Sequence, residues 1–309
     1  MTPSYLQLLE NGELERRAER AWDMLRACRL CPRDCGVDRL AGEKGVCRSG
    51  ELPWVSSANA HHGEEPPISG THGSGTIFLT NCNLHCVFCQ NYPISQLGNG
   101  EETTIEGLAG MMLSLQERGC HNINFVTPTH FMPQIVRAVL IAARGGLRLP
   151  LVWNCGGYES IDALSLLDGI VDIYMPDCKY GLDEHGEKYS SAPGYFTHAC
   201  AALKEMYRQV GPLAMDDDGI AVRGLIIRHL VLPNDISRTG TVFRFIAEEL
   251  GTDVFMSIME QYFPAHRALS IPEMSRRITD DEYDDALGVA EDIGLTTGWA
   301  QDRSDPGGC

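Results

Sequence analysis

Three closely spaced cysteines are the residues of this chain whose types and spacing point most directly to chemistry. Cys82, Cys86 and Cys89 lie in the stretch GTIFLTNCNLHCVFCQNY, separated by three and then two residues, directly after a short apolar run. Three thiolates on one tight loop suit a cubane [4Fe-4S] cluster whose fourth iron has no protein ligand and can bind a substrate. Zinc sites usually present four ligands as two pairs, so the triplet fits zinc poorly. We therefore predict an iron–sulfur cluster here.

A second set of cysteines precedes the triplet, within CRLCPRDCGVDRLAGEKGVCR. Its four thiols form a complete ligand set for one metal centre, and the interspersed glycines allow the tight turns that such a loop needs. The set suits either a structural zinc ion or an auxiliary [4Fe-4S] cluster acting as an electron relay, and ligand type alone does not choose between them. A third interpretation is that only some of these thiols bind metal. The four residues are Cys28, Cys31, Cys35 and Cys47.

Composition restricts the protein class. The 309 residues are 43% hydrophobic and carry a formal net charge of −17, which opposes the phosphate backbone, so we do not expect a nucleic-acid partner. Twelve cysteines are many, but disulfide scaffolds are typically short secreted domains, whereas these cysteines concentrate within residues 28–89. The chain has no apolar run of membrane-spanning length and no signal-peptide pattern at its N-terminus. These features predict a cytoplasmic protein that uses its cysteines for metal.

From residue 75 onward, apolar runs alternate with helical patterns. Buried parallel strands read as continuous apolar runs, and we predict six of them, at residues 76–80, 122–127, 151–154, 171–175, 225–232 and 254–259. Predicted helices lie between them, near 104–118, 132–144, 159–168, 197–210 and 237–250. Thr103 with Glu106, and Thr279 with Glu282, are predicted capping boxes. Six such units indicate a parallel α/β barrel or an open sheet.

The remaining segments predict the domain organisation. Residues 13–27 form an amphipathic helix, and residues 50–75, rich in Gly, Pro, Ser and His, are predicted to be a connector. A helix follows Thr279, the tail from Trp299 is predicted to lack structure, and Cys309 is predicted to be a free thiol. We therefore expect an N-terminal helix and four-cysteine module (1–60), a barrel (70–270), and a C-terminal helix and tail (271–309).

The motif CNLHCVFC, with aromatic Phe88 before its third cysteine, resembles the signature of the radical S-adenosylmethionine (radical SAM) enzymes. The resemblance covers roughly residues 28–270 and implies a partial (β/α)6 barrel of the TIM type. Within the superfamily, the chain looks like the activating enzymes of glycyl radical enzymes. It is most similar to their PflX-like group, which is related to pyruvate formate-lyase activating enzyme.

The resemblance also implies a binding site for S-adenosylmethionine, built at the ends of the predicted strands. Asp177-Cys178-Lys179 matches an Asp-Leu-Lys motif, and Arg228, five residues before Pro233, matches an arginine that meets the methionine carboxylate. Threonines occupy the place of the family's Gly-Gly-Glu, which binds the amine, so the chain lacks the usual carboxylate there. The resemblance implies Phe88 and Tyr92 near the adenine, and Asp177, Lys179 and Arg228 at the cofactor. Polar residues at the predicted strand ends add Thr127, Thr129 and Asn154 as cofactor-binding residues.

The implied reaction is a reductive cleavage of S-adenosylmethionine to a 5′-deoxyadenosyl radical, which abstracts hydrogen from a substrate. An activating enzyme would take that hydrogen from a glycine of a partner protein, and flavodoxin or ferredoxin would supply the electron. The reaction requires no general acid or base, so we nominate no catalytic side chain, including His130 and His229. The alternatives are radical chemistry on a small molecule or peptide, an iron–sulfur scaffold or electron carrier, and a zinc-stabilised binding module.

Overall fold

One mixed sheet forms the centre of the protein in the computed structural model, which describes residues 2–301. Cys309 and most of the tail therefore lie outside the described residues. Within that range the sheet has ten strands: β1 (Trp54–His61), β2 (Ser74–Leu79), β3 (Glu101–Glu102), β4 (Ile123–Val126), β5 (Leu151–Cys155), β6 (Ile173–Pro176), β7 (Ala214–Met215), β8 (Ala221–Leu230), β9 (Phe255–Met259) and β10 (Gly298–Ala300).

The six predicted strands are confirmed and lie side by side in chain order. β2, β4, β5, β6, β8 and β9 pair successively in parallel, with Asn124 opposite Val152 and Val152 opposite Ile173. The full order is β10-β9-β8-β6-β5-β4-β2-β1-β3, so the sheet has two ends within the described range. The fold is a partial TIM-type barrel with helical crossovers, as the resemblance implied.

Helices surround the sheet. They are α1 (Tyr5–Glu10), α2 (Glu13–Asp23), α3 (Pro66–Ser69), α4 (Tyr92–Ser95), α5 (Ile105–Glu117), α6 (Met132–Arg144), α7 (Ile161–Leu167), α8 (Asp183–Ser190), α9 (Tyr195–Val210), α10 (Thr239–Glu249) and α11 (Asp280–Ile293). The capping box of Thr279 and Glu282 is confirmed. That of Thr103 is wrong, because Thr104 caps α5 and its hydroxyl accepts the Gly107 N–H at 3.0 Å. No helix within residues 2–301 is long and apolar enough to cross a membrane.

Two segments predicted to be irregular form strands. Residues 50–75 are not merely a connector, because β1 pairs antiparallel with β2 and the short helix α3 follows. β1 reads WVSSANAH, so backbone pairing rather than an apolar pattern holds it in the sheet. The tail prediction was wrong from Trp299, since β10 pairs in parallel with β9. Gly298 permits this contact, because a Cβ there would lie 2.0 Å from the Met256 carbonyl oxygen.

Strand alternation separates an outer and an inner face of the barrel. On the inner face, α3 inserts like a plug: Ile68 is fully buried among residues of the barrel interior, namely Val152, Ile173, Met175, Ala221 and Ile226. Glu65, at the start of the plug, accepts a hydrogen bond from Ser257 of β9 at 2.9 Å. Because alternate residues of a strand share a face, Asn154, Asp177 and Arg228 follow these apolar residues on the inner side. The plug thus forms the floor beneath them.

Candidate active site and cofactor cavity

A cavity of about 350 Å³ opens at the carboxyl ends of the parallel strands, and the cysteine triplet lies in its wall. This volume is within the range of small-molecule sites, and the position is the one where α/β barrels carry their active sites. The cavity brings together most of the residues predicted from the sequence: Cys82, Cys86, Phe88, Cys89, Thr127, Asn154, Asp177, Lys179 and Arg228.

Each thiol of the triplet has at least one hydrogen-bond partner. The Leu84 N–H donates to Cys82 Sγ at 3.4 Å, and the Ser190 hydroxyl donates to Cys86 Sγ at 2.9 Å. Cys89 Sγ and the Ser95 hydroxyl lie 3.1 Å apart. Burial raises the pKa of the Cys82 and Cys86 thiols, while Lys179 acts in the opposite direction. Thiolates in such a buried wall are stabilised only when a metal centre takes up their charge.

The number and spacing of the thiols suit a cluster. Structural zinc sites are closed by four protein ligands, whereas the triplet supplies three thiols on one loop. In a [4Fe-4S] cluster each thiolate binds a different iron, and three thiolates leave one iron without a protein ligand. Cys82, Cys86 and Cys89 would therefore suit a [4Fe-4S] cluster in the wall of the cavity.

Opposite charges form a partly buried network at the strand ends. Arg228 Nε donates to Asp177 Oδ1 at 2.8 Å and its Nη2 donates to Asn154 Oδ1 at 2.6 Å, while the Lys179 ammonium donates to Asp177 Oδ2. Although burial opposes ionisation, Arg228 and Lys179 hold the pKa of Asp177 below its usual value. Burial likewise opposes the charge of Lys179, but Asp177 raises the pKa of that ammonium above normal. The network thus presents two fixed cations to the cavity.

Glu64 lies in the same network and was not predicted from the sequence. Its Oε1 accepts from Asn124 Nδ2 at 3.0 Å, and its Oε2 lies 3.6 Å from Arg228 Nη1. Burial raises the pKa of Glu64 to about 7, although Arg228 lowers it. Hydrogen bonds at both the N–H and the C=O of Glu64 to the Ser69 hydroxyl fix it above the plug. The only sequence signal was a doublet of carboxylates before two prolines.

The two aromatic residues that were predicted near the adenine lie in different places. Phe88 lines the cavity, with its ring 5.8 Å from Tyr262 and edge-on to Tyr180. Tyr92 is absent from the residues described as lining the cavity, and its ring stacks on His266 at 4.9 Å. Phe88 is therefore the aromatic side chain available to a ligand inside the cavity.

The predicted threonines are also separated. Thr127 lines the cavity, whereas the buried Thr129 donates its hydroxyl to Glu159 outside it. His130 and His229 are fully enclosed, and burial lowers the pKa of each to about 4. Neither histidine is among the residues described as lining the large cavity.

The four N-terminal cysteines are brought together at a separate, smaller cavity. Its lining includes all four thiols together with Arg33, Arg39 and His130. Cys28 and Cys47 are nearly buried, whereas Cys31 and Cys35 are partly exposed.

The comparison of the sequence with curated proteins identifies relatives. The chain is 31% identical over 299 residues to the uncharacterized protein MJ0674 of Methanocaldococcus jannaschii, covering 94% of this chain and 82% of that protein. It is 23% identical over 282 residues to MJ0808 of the same organism, covering 82% and 78% of the two chains. No family model matches the chain.

Solved structures are similar in fold at low sequence identity. HydG, described as a maturase of the [FeFe]-hydrogenase, superimposes with a TM-score of 0.51 at 14% identity over 75% of this chain. The chain spans about half of HydG, 52% of its length. Methylornithine synthase (PylB) has a TM-score of 0.46 at 14% identity, covering 96% of this chain and 82% of its own. The protein thus has the fold of radical SAM enzymes and belongs to the same family as MJ0674.

Proposed function

We propose that the protein is a radical SAM enzyme. The observation that carries this proposal is that three thiols suited to a [4Fe-4S] cluster and a partly buried set of fixed charges line one cavity. When bound, the cluster and S-adenosylmethionine supply a one-electron reductive cleavage of a sulfonium C–S bond, followed by hydrogen abstraction. Cys82, Cys86 and Cys89 hold the cluster, and the strand ends hold the nucleoside and amino-acid groups.

The chain's own residues supply a partner for each part of the cofactor. Arg228 uses Nε and Nη2 within the network, which leaves Nη1 directed toward Glu64 and available to a carboxylate. Thr127 and Asn154 offer oxygen and nitrogen atoms to ribose hydroxyls. Phe88 provides an apolar wall for the adenine.

Glu64 supplies what the missing Gly-Gly-Glu would have provided. Its carboxylate is buried, lines the cavity and lies beside Arg228, so an ammonium and a carboxylate on one ligand carbon can be held by neighbouring groups of opposite charge. When Glu64 and Asp177 are ionised, their two negative charges balance the positive charges of Arg228 and Lys179. The cavity then has no net positive charge that would repel a cationic ligand. We assign Glu64 to the amine of S-adenosylmethionine.

For the substrate, we propose a glycine of a partner protein, as in the activating enzymes. The support is Asp177-Cys178-Lys179 together with Arg228 before Pro233, and a cavity with room for about one cofactor. A substrate must then reach the reaction centre from the rim, which a protruding loop of another protein can do. The electron would come from a cytoplasmic donor such as flavodoxin or ferredoxin.

The proposal is tested with anaerobically purified protein, by measuring iron, sulfide and reductive cleavage of S-adenosylmethionine with dithionite. The variant Cys82→Ala/Cys86→Ala/Cys89→Ala should lose about four irons and all formation of 5′-deoxyadenosine. The control, Cys120→Ala/Cys200→Ala, removes two cysteines that line neither cavity. It should keep the iron content and the formation of 5′-deoxyadenosine. Bound iron without cofactor cleavage by the wild type would contradict the proposal and favour an electron carrier.

The substrate class is tested with a glycine-centred peptide that carries deuterium on the glycine α-carbon. Deuterium should appear in 5′-deoxyadenosine, because the hydrogen is taken from that carbon. A peptide with alanine at the same place is the matched control. Cleavage of S-adenosylmethionine that never transfers deuterium from the glycine would contradict a glycyl substrate and leave a small molecule as the target.

A further inference from the structure

The four N-terminal cysteines form a built site. Backbone hydrogen bonds tie their loop into a fixed shape: the Cys28 N–H donates to the Val37 carbonyl at 3.0 Å, and the Asp34 N–H donates to the Cys31 carbonyl at 3.1 Å. Gly45 allows the Cys35 thiol to approach the loop, because a Cβ at position 45 would lie 2.8 Å from Cys35 Sγ. The thiols are thus held around a common space by the local fold.

Two polar atoms at this cavity have no partner in the described part of the chain. Arg33 Nη2 is buried and has no acceptor, and His130 Nδ1 is buried and has no hydrogen-bond partner. His130 uses its other nitrogen, Nε2, toward the Thr80 carbonyl at 2.8 Å. An unpaired buried donor destabilises the fold, because its hydrogen bonds to water are lost and not replaced. A group inside the cavity that accepts N–H hydrogen bonds, as the sulfur atoms of a cluster do, would satisfy Arg33.

The ligand set alone allows either a zinc ion or a cluster. Zinc transfers no electrons, whereas a cluster can exchange single electrons with a cluster at the triplet. The four thiols line one shared cavity, and each could bind a different iron.

The module also contacts the loop that carries the triplet. Arg33 Nε donates to the Asn83 carbonyl at 3.0 Å, and Asn83 directly follows Cys82. Arg48, which follows Cys47, donates to the Gln96 carbonyl and lies 3.4 Å from Asn81 Oδ1. Two arginines of the module, Arg33 and Arg48, therefore contact the segment that carries the triplet. On the outer side, Cys31 and Cys35 are partly exposed and accessible to a donor protein.

We propose that Cys28, Cys31, Cys35 and Cys47 hold a second [4Fe-4S] cluster, which passes single electrons to the cluster at Cys82, Cys86 and Cys89. A low-potential donor such as ferredoxin or flavodoxin reduces the outer cluster by one electron. That cluster is reoxidised as the inner one is reduced, and no bond is made or broken. The relay role rests on the proposed function, whereas the presence of the second cluster does not.

Metal content and electron paramagnetic resonance (EPR) test this assignment. Wild-type protein should contain about eight irons, and about four should remain in either Cys28→Ala/Cys31→Ala/Cys35→Ala/Cys47→Ala or the triplet variant. The EPR spectrum of the dithionite-reduced wild type should show spin–spin coupling between two clusters, and each variant should show an uncoupled signal. Stoichiometric zinc lost with the four N-terminal cysteines, or iron that is entirely lost with the triplet, would overturn the second cluster.

A milder variant covers the case in which removing four cysteines prevents folding. Arg33→Met keeps every thiol, so it should keep about eight irons while slowing reduction of the inner cluster by reduced ferredoxin at least several-fold. Arg29→Met is the control, since Arg29 is exposed and pairs only with the nearby Asp34 among described contacts. Unchanged reduction in Arg33→Met would overturn the connection through Arg33. The two proposals can fail separately. If the triplet variant retains four irons but the wild type does not cleave S-adenosylmethionine, the proposed function is wrong and the second cluster stands.

Discussion

Replacing Glu64 with glutamine should remove a pH dependence from the binding of S-adenosylmethionine. Burial raises the pKa of Glu64 to about 7, so the carboxyl group of the free protein is largely protonated at pH 6. The ammonium group of the cofactor pairs with the ionised form, and binding below pH 7 must therefore displace a proton. Glutamine has nearly the same shape but no charge to lose.

The size of the effect follows from that pKa. At one pH unit below the pKa of Glu64, deprotonating the carboxyl group costs about 1.36 kcal/mol of binding free energy, which weakens the affinity by a factor of about ten. The wild-type dissociation constant should therefore rise about tenfold from pH 8 to pH 6. Glu64→Gln should bind more weakly at pH 8 and show little change between the two values.

Stability without cofactor should change in the opposite sense. Because the folded protein raises the pKa of Glu64 from 4.5 to about 7, this group stabilises the fold fully below pH 4.5, and that contribution is lost as the pH rises through 7. The free energy of unfolding of wild type relative to Glu64→Gln should accordingly fall between pH 5 and pH 8. Urea denaturation at both pH values measures this difference.

Binding is measured by isothermal titration of the anaerobically reconstituted protein at pH 6, 7 and 8. Glu117→Gln, at an exposed carboxylate on α5, is the matched control and should keep the tenfold dependence. A wild-type affinity that is equal at pH 6 and pH 8 would refute the role of Glu64. The role would also be refuted if Glu64→Gln kept the tenfold change in affinity between pH 6 and pH 8.

Three other substitutions test the structure beneath the site. Arg228→Lys loses the fork that joins Asp177 to Asn154 and should weaken cofactor binding by about 1.5–3 kcal/mol, measured by titration; unchanged affinity would contradict the network. Ile68→Ala should lower the free energy of unfolding by about 2–5 kcal/mol in urea, whereas a loss of only a few tenths would mean that the plug does not fill the barrel. Gly157→Ala should cost at least about 1–3 kcal/mol, because φ is +76° and the new Cβ would lie 2.3 Å from the Asp177 carbonyl oxygen; a neutral result by thermal unfolding would contradict this close contact.

The six parallel strands were predictable because burial on both faces makes each a continuous apolar run, and their ends then located Asn154, Asp177 and Arg228. The sequence contained no comparable signal for β1, whose polar residues are held by pairing with β2. Polar strands of this kind depend on long-range backbone contacts that a local pattern does not record.

The site was predictable where it lies in the cysteine motif or at the ends of those strands. Glu64 depends on α3 entering the barrel, a tertiary contact of a four-residue helix that periodicity cannot reveal. The separation of Phe88 from Tyr92 has a similar cause, because the chain turns into α4 at Tyr92 and directs that ring toward His266. Spacing therefore indicated which residue types meet, but not the route of the chain between them.

The plug has a consequence for the order in which the protein is made. Glu65 leaves the ribosome early, but its partner Ser257 lies 192 residues later in the chain. Ile68 also waits for neighbours in β5, β6 and β8. Contacts of such long sequence separation form late in folding. During synthesis the cysteine loops would therefore be exposed before the plug is enclosed, and β9 would be the strand that ties Glu65, at the start of the plug, to the barrel.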